Sequence, residues 1–238
     1  RLADNTTAGY VLWSWINRGS CYIELGQLDL ALDDLMQADN LNSDKSSTTH
    51  ALIQQKRGEI ALQQRRYTEA ISHFDSSIAI TPKASARHKL RAIAKFYANQ
   101  FDESLADLRL ARQLQPQDLS TLIGIAPHLL SDCPNDHFKE GLFELANQAV
   151  QQNPKARQYR AAIAIHLGQI EAAREDLSQL ARSESATILD LYQLALLYLE
   201  VPPDERAYRA ACKTMVDRFS ESKDPITVAL LASICTVL

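Results

Sequence analysis

Turn-forming residues are scarce in this sequence, with 7 glycines and 8 prolines among 238 residues. Proteins built of short strands need a turn signal about every 8–12 residues, and no stretch here alternates Val, Ile or Thr with polar residues as a half-buried strand does. A sheet protein is therefore not expected, and the chain reads as all-α. The four cysteines, Cys21, Cys133, Cys212 and Cys235, never form a CxxC pair. That spacing argues against a zinc ribbon or a disulfide framework and leaves them as small packing residues of a reducing compartment. Long apolar runs are missing too: the most apolar segment, Ile226 to Leu238, has 13 residues, short of the ~20 that a spanning helix needs. No charged-then-apolar leader opens the chain. These features predict a cytoplasmic protein without membrane contact. Since the chain starts at Arg1 and not at Met, a piece of a longer protein is expected.

Chemistry-bearing constellations are equally sparse. No nucleophile, base and orienting residue fall together, so neither an enzyme nor a cofactor is expected. His128, Cys133 and His137, with Asp132 and Asp136 nearby, have metal-ligating side chains but not the tight paired spacing of a zinc site, and no metal is expected. A net charge of −4 gives no bulk attraction to nucleic acid. Charge is unevenly placed, however. Residues 51–117 hold eleven Lys/Arg against six Asp/Glu, a local net of +5, while residues 1–50 carry −4.

What is present is a repeated unit. From Trp13 to Ser43 the pattern predicts two amphipathic helices, about residues 12–25 and 28–41, joined by a turn at Gly26-Gln27. The first eleven or so residues read as a run-in. Trp15, Gly19 and Tyr22 share one face of the first helix. Ala31, Leu35 and Ala38 form the face of the second that meets it. So small a hairpin cannot bury its stripe alone, and copies follow. Gly19 recurs as Gly58 after 39 positions, the excess lying in the polar loop after Asn42, and Pro82 recurs as Pro116 after 34. In the third copy the turn Ala98-Asn99-Gln100 lacks glycine and looks one residue short. The fourth is irregular, with Gly124 and Pro127 in its first helix. The boundaries predict a single array of about six repeats, 12–45, 51–84, 85–118, 119–155, 156–186 and 187–225, with a truncated helix at 226–238.

These spacings resemble the tetratricopeptide repeat, whose pattern is Trp-x2-Leu-Gly-x2-Tyr, then Ala-x3-Phe, then a closing Pro. Trp15, Gly19, Tyr22, Ala31 and Ala38 match in the first repeat, where Arg18 and Leu35 depart from the pattern. Gly58, Ala70, Phe74 and Pro82 match in the second. Leu108, Ala111 and Pro116, then Ala149 and Pro154, then Ala173, match in the next three. The resemblance implies a right-handed α-solenoid of antiparallel helix pairs that binds a protein or peptide in its concave groove. The closing stretch from Tyr208 also resembles the tail of tetratricopeptide regions in large bacterial proteins, some with an N-terminal Hanks-type serine/threonine kinase domain. That implies a regulatory docking region, although no kinase motif occurs here.

The same resemblance implies which residues line the groove. They are Trp13, Asn17 and Ser20, beside Ile16 and Ile23, from the first repeat; Gln55, Lys56 and Glu59 from the second; and Lys89 from the third. Asn17, Lys56 and Lys89 would converge on a peptide carboxylate, and the +5 balance would favour an acidic segment. The run Lys83, Arg87, His88, Lys89, Arg91, Lys95 reads as a charged stripe, and Asp33-Asp34 as a solvated pair on the outer face. Two alternatives carry less weight: a structural spacer within a multidomain protein, and nucleic-acid binding through the basic repeats, which lack interleaved aromatics.

Overall fold

The computed structural model describes residues 2–119, 130, 133–184, 186–200 and 202–235, with side chains from residue 9 to residue 234. These residues form twelve α-helices and no strand. By their contacts they divide into two compact units, Arg1–Gly124 and Ile125–Leu238.

The first unit is three antiparallel hairpins. Helices α1 (Leu2–Glu24) and α2 (Leu28–Leu41) form the first, α3 (Thr48–Gln63) and α4 (Tyr67–Ile80) the second, and α5 (Ser85–Tyr97) and α6 (Phe101–Leu114) the third. Within it α2 packs on α3 and α4 on α5, while the first helices of successive hairpins also touch, α1 on α3 and α3 on α5. The second unit contains α7 (Asp136–Gln152), a 3-10 turn at Pro154–Ala156, α8 (Arg157–His166), α9 (Ile170–Ala181), α10 (Ile188–Tyr198), α11 (Glu205–Phe219) and α12 (Pro225–Cys235). The expected first helix of the fourth repeat, with Gly124, Pro127 and His128, lies outside the described residues, as does Asp132. Among the described residues no helix is long and apolar enough to cross a membrane.

Burial follows the hairpin stripes. Ile16, Ile23, Ala31, Leu35, Ala38, Ile53 and Ile60 form one core cluster, and Ala61, Ala70, Phe74 and Ala94 a second. In the other unit Ala161, Ala164, Ala173, Leu177, Leu194 and Leu197 form one cluster. Leu191, Ala195, Tyr208, Ala211, Cys212, Met215 and Ile234 form another. Each large side chain among these contributes about 1.5–3 kcal/mol through removal from water.

Two details of the hairpins differ from the sequence expectation. Residues 2–11 are not a run-in but the first turns of α1. Propagation of a helix already nucleated costs little, and this stretch holds no proline and only Gly9 to oppose it. Nor is the third turn short. Four connections have the same three-residue length, with a central residue in the left-handed region: Gly26 (φ 71°), Arg65 (60°), Asn99 (60°) and Gly168 (70°). In each, the last turn residue donates its N–H to a carbonyl five positions back, as Gln27 to Tyr22 (2.8 Å) and Gln100 to Lys95 (2.8 Å). That is the Schellman closure, and it needs the left-handed residue whether or not glycine supplies it.

The longer connections carry side-chain caps. Ser47 Oγ accepts from His50 N (3.2 Å), Asn135 Oδ1 from Phe138 N (2.8 Å), and Asp204 Oδ1 from Ala207 N (2.9 Å). Thr187 and Asp190 form a reciprocal capping box at the start of α10. The extra residues between the first two hairpins bond among themselves: Asn42 Nδ2 donates to Asp44 O (3.0 Å) and Ser46 N to Asp44 Oδ1 (2.9 Å). An insertion there leaves the stacking of α2 on α3 intact.

Candidate protein-binding face

The residues expected to line a groove all lie on α1, α3 and α5 of the first unit. Trp13 is 48% exposed and Asn17 is exposed, whereas Ser20 turns back to donate to Ile16 O (2.9 Å). Ile16 and Ile23 are core residues, 1% and 3% exposed. Their assignment to the wall is corrected, because α1 turns them toward Leu35 and Ile53.

Gln55, Lys56 and Glu59 do come together. Glu59 accepts from Gln55 Nε2 and from Lys56 Nζ, both at 2.8 Å. Arg87 of α5 completes the group, its Nε donating to Gln55 Oε1 at 3.1 Å. Sequence reasoning had placed Arg87 only within a basic run. It is 8% exposed, and among the described residues its hydrogen bond goes to a neutral amide and to no carboxylate. Burial pushes its pKa below the ordinary arginine value, the sign of a cation whose field is not neutralised locally. Lys89 is drawn to Asp118, Nζ to Oδ2 at 2.6 Å.

The rest of that basic run is not a free stripe. Asp107, 4% exposed, accepts from Arg91 Nε (2.8 Å) and Nη2 (2.5 Å) and from Lys95 Nζ (2.9 Å), and His88 Nδ1 lies 3.6 Å from it. Burial alone would raise the Asp107 pKa, but the hydrogen bonds and charges of Arg91 and Lys95 outweigh it and hold the carboxyl below its usual value.

The Arg91–Asp107 pair belongs to a series. Arg18 holds Asp34 through Nε and Nη2, both at 2.7 Å, and Arg160 holds Asp176 through the same atoms at 2.6 and 2.5 Å. In all three the aspartate follows the arginine by 16 residues and links the second helix of a hairpin to the first. Two parallel charge-assisted bonds fix the pair geometrically. The expectation of a solvated Asp33-Asp34 pair is corrected accordingly: Asp33 is exposed, but Asp34 is 3% exposed, since Arg18 neutralises it. Arg18, a departure from the repeat pattern, is thus its clasp. The common 16-residue interval was the signal in the sequence. In the second hairpin Arg57 faces the same interval, but His73 stands in place of the acid.

With this geometry in hand, the relatives are informative. The tetratricopeptide repeat profile matches residues 14–45, the first hairpin from the middle of α1 to just past α2. Tetratricopeptide repeat protein 16 of Macaca fascicularis is 28% identical over 105 residues, covering 43% of this chain and 12% of that protein. Two solved structures share the fold over nearly the full chain. A tetratricopeptide repeat protein from Parabacteroides merdae superposes with a TM-score of 0.60 at 16% identity, covering 96% of this chain and 87% of the other. PilF of Pseudomonas aeruginosa also gives 0.60, at 14% identity, covering 98% of this chain and 100% of its own. Residues 14–45 are a tetratricopeptide repeat, and the chain folds as tetratricopeptide repeat proteins do.

Proposed function

We propose that the face built by α1, α3 and α5 binds an acidic segment of a partner protein. The observation that supports this most is Arg87: a guanidinium 8% exposed, bonded to Gln55, with no carboxylate against it among the described residues. A carboxylate brought to it would gain a charge-assisted hydrogen bond in a partly desolvated setting. Lys56 and Lys89 would exchange Glu59 and Asp118 for groups of the ligand, and Asn17 and Trp13, exposed on α1, would extend the contact. A spacer whose groove is filled by its own N-terminus is less favoured, because residues 2–11 continue α1 along its axis and do not fold back across the face. In a longer polypeptide such a face would dock partners beside a catalytic domain, such as the kinase implied by the closing stretch.

The test is titration of fluorescent acidic, neutral and basic dodecapeptides into the intact chain. Acidic peptides are expected to bind best and to weaken with added salt. Lys56→Glu or Lys89→Glu should each cost about tenfold, or ~1.4 kcal/mol. Affinities indifferent to both substitutions would remove the assignment.

A further inference from the structure

A chain of polar contacts crosses the seam between the first two hairpins. It runs from Asp39 on α2, through His50 and Gln54 on α3, to His73 on α4. His50 Nδ1 lies 3.0 Å from Asp39 Oδ1, and His50 Nε2 lies 3.3 Å from Gln54 Nε2. At the other end of the amide, Gln54 Oε1 is 2.8 Å from His73 Nδ1. His73 Nε2 closes the chain 3.7 Å from Glu69 Oε1. Gln54 is buried and both rings are partly so, which leaves the amide to be satisfied by the two imidazoles.

The chemistry of each group allows this chain few states. A carboxylate only accepts, so the His50 nitrogen that faces Asp39 carries a hydrogen. An amide turns its NH2 to one ring and its oxygen to the other, never the same group to both. The ring nitrogen facing the NH2 must be bare, and the one facing the oxygen must carry a hydrogen. With the NH2 toward His50, that ring is neutral with its hydrogen on Nδ1, and His73 donates from Nδ1 to Gln54 Oε1. With the amide reversed, His50 donates from both nitrogens and is an imidazolium. His73 Nδ1 then accepts, so His73 is neutral with its hydrogen on Nε2, facing Glu69. Neither setting admits a charge on both rings, and the two protonations are coupled through one amide.

We propose that Gln54 makes His50 and His73 a one-proton switch, in which protonating His50 reverses the amide and moves the hydrogen of His73 from Nδ1 to Nε2. The fixed charges around the two rings are unequal. His50 faces Asp39 on α2, with Asp44 and Lys45 in the loop before α3 and Arg57 on its own helix, Lys45 and Arg57 both held by Asp39. His73 faces Arg57 on α3, Glu69 on its own helix and Arg66 just before it. Burial, joined by Arg57 and Arg66, opposes a positive charge on His73, and Glu69 offsets only part of that. Asp39 stands directly against His50, so the protonated seam is the one with the amide reversed. Imidazoles are the side chains that ordinarily change charge between pH 5 and 8. One proton added beside α2 is thereby registered on α4, in the next hairpin, with no movement of a helix required. The switch is independent of the acidic-segment proposal.

The test is the imidazole nitrogen NMR spectrum of the intact chain, labelled at its six histidines and followed from about pH 8 to about pH 5. A bare ring nitrogen resonates far downfield of a protonated one, so the place of each hydrogen is read directly. At the alkaline end both rings are expected with their hydrogen on Nδ1, the minor form of free histidine. As His50 takes its proton, His73 is expected to stay neutral and to exchange Nδ1–H for Nε2–H. Asp39→Asn gives a second reading. The new amide can face His50 with either group, so both rings should become mixtures of the two neutral forms together. Gln54→Met, close in size and unable to bridge the rings, should uncouple them and leave His73 in one neutral form across the His50 transition. The proposal is overturned if both rings become imidazolium in a single step, or if the His73 hydrogen ignores both His50 and Asp39. An Nδ1-to-Nε2 exchange that survives Gln54→Met overturns it as well.

Discussion

Gly58→Ala is expected to destabilise the first unit, although the same change at Gly19 does not. Both glycines occupy the close-packing position of a first helix, and alanine is favoured over glycine in a helix interior by about 1 kcal/mol. The difference lies in what the new methyl meets. At Gly19 the nearest atoms are Asp34 Cβ at 3.4 Å, Ala31 O at 3.5 Å and Leu35 Cγ at 3.6 Å. At Gly58 they are Cε1, Cδ1 and Cζ of Phe74, at 2.6, 2.9 and 2.9 Å. Phe74 is fully buried, so its ring has nowhere to retreat. Overpacking of that kind costs about 1–3 kcal/mol, and three ring contacts place it at the upper end. The net loss is about 2 kcal/mol, a fall in Tm of roughly 4–8 °C for a chain this size. Gly19→Ala should leave Tm unchanged or raise it by a few degrees. The decisive variant is Gly58→Ala with Phe74→Leu, which recreates the Ala92/Leu108 and Ala161/Leu177 pairings of the third and fifth repeats, all four residues buried. The double variant should melt above Gly58→Ala alone, a favourable coupling in a double-mutant cycle. Thermal melts followed by circular dichroism decide it: losses that simply add, or a Gly58→Ala variant as stable as wild type, refute the nested-ring account.

Further outcomes follow from the clasps and turns. Arg65→Gly should raise stability by about 0.5–1 kcal/mol in urea titrations, because φ 60° strains a side-chain-bearing residue and suits glycine. Arg160→Ala leaves Asp176, which is 0% exposed, facing Arg157 Nε at 3.8 Å in place of two short bonds, and should cost about 2–3 kcal/mol, discounted from a fully buried pair because Arg160 is itself partly exposed; Arg160→Ala with Asp176→Leu should recover part of the loss in the same melts. Acid should release the Asp107 cluster. With its folded pKa depressed, the stabilisation is complete above the ordinary carboxylate value of about 4 and is lost as pH falls through the lower folded value. Asp107→Asn should therefore lower Tm at neutral pH and flatten the decline between about pH 4 and 2.

The array was legible because its strongest constraint is periodic. Close packing of a hairpin demands small residues at fixed places, so Gly19, Gly58, Ala31, Ala70 and the two prolines 34 apart stand out along the chain. The helix ends were legible wherever a cap or a glycine marked them. Arg65 and Asn99 hid their turns because the left-handed conformation there is imposed by the hydrogen bonds that close the helix, not announced by residue type. Charge was the least readable layer. Whether Lys89 faces a ligand or Asp118, and whether Asp34 is solvated or clasped, depends on which helices meet, and composition is silent on that. Arg87 shows the same limit from the other side: six basic residues in a run look alike until the packing buries one with no carboxylate against it among the described residues.

The second hairpin's missing aspartate has a consequence for how the first unit comes apart. With His73 where its neighbours keep an acid, that hairpin trades an ionic fastener for a ring seated on a bare backbone. Protons can unlatch the pair at Asp107, whose carboxyl is held below its usual value, but in the second hairpin they meet His73, where burial opposes the positive charge. Acidification should therefore loosen the middle hairpin first, as protons are driven onto the half-buried His73, and the third only at the lower pH that protonates Asp107.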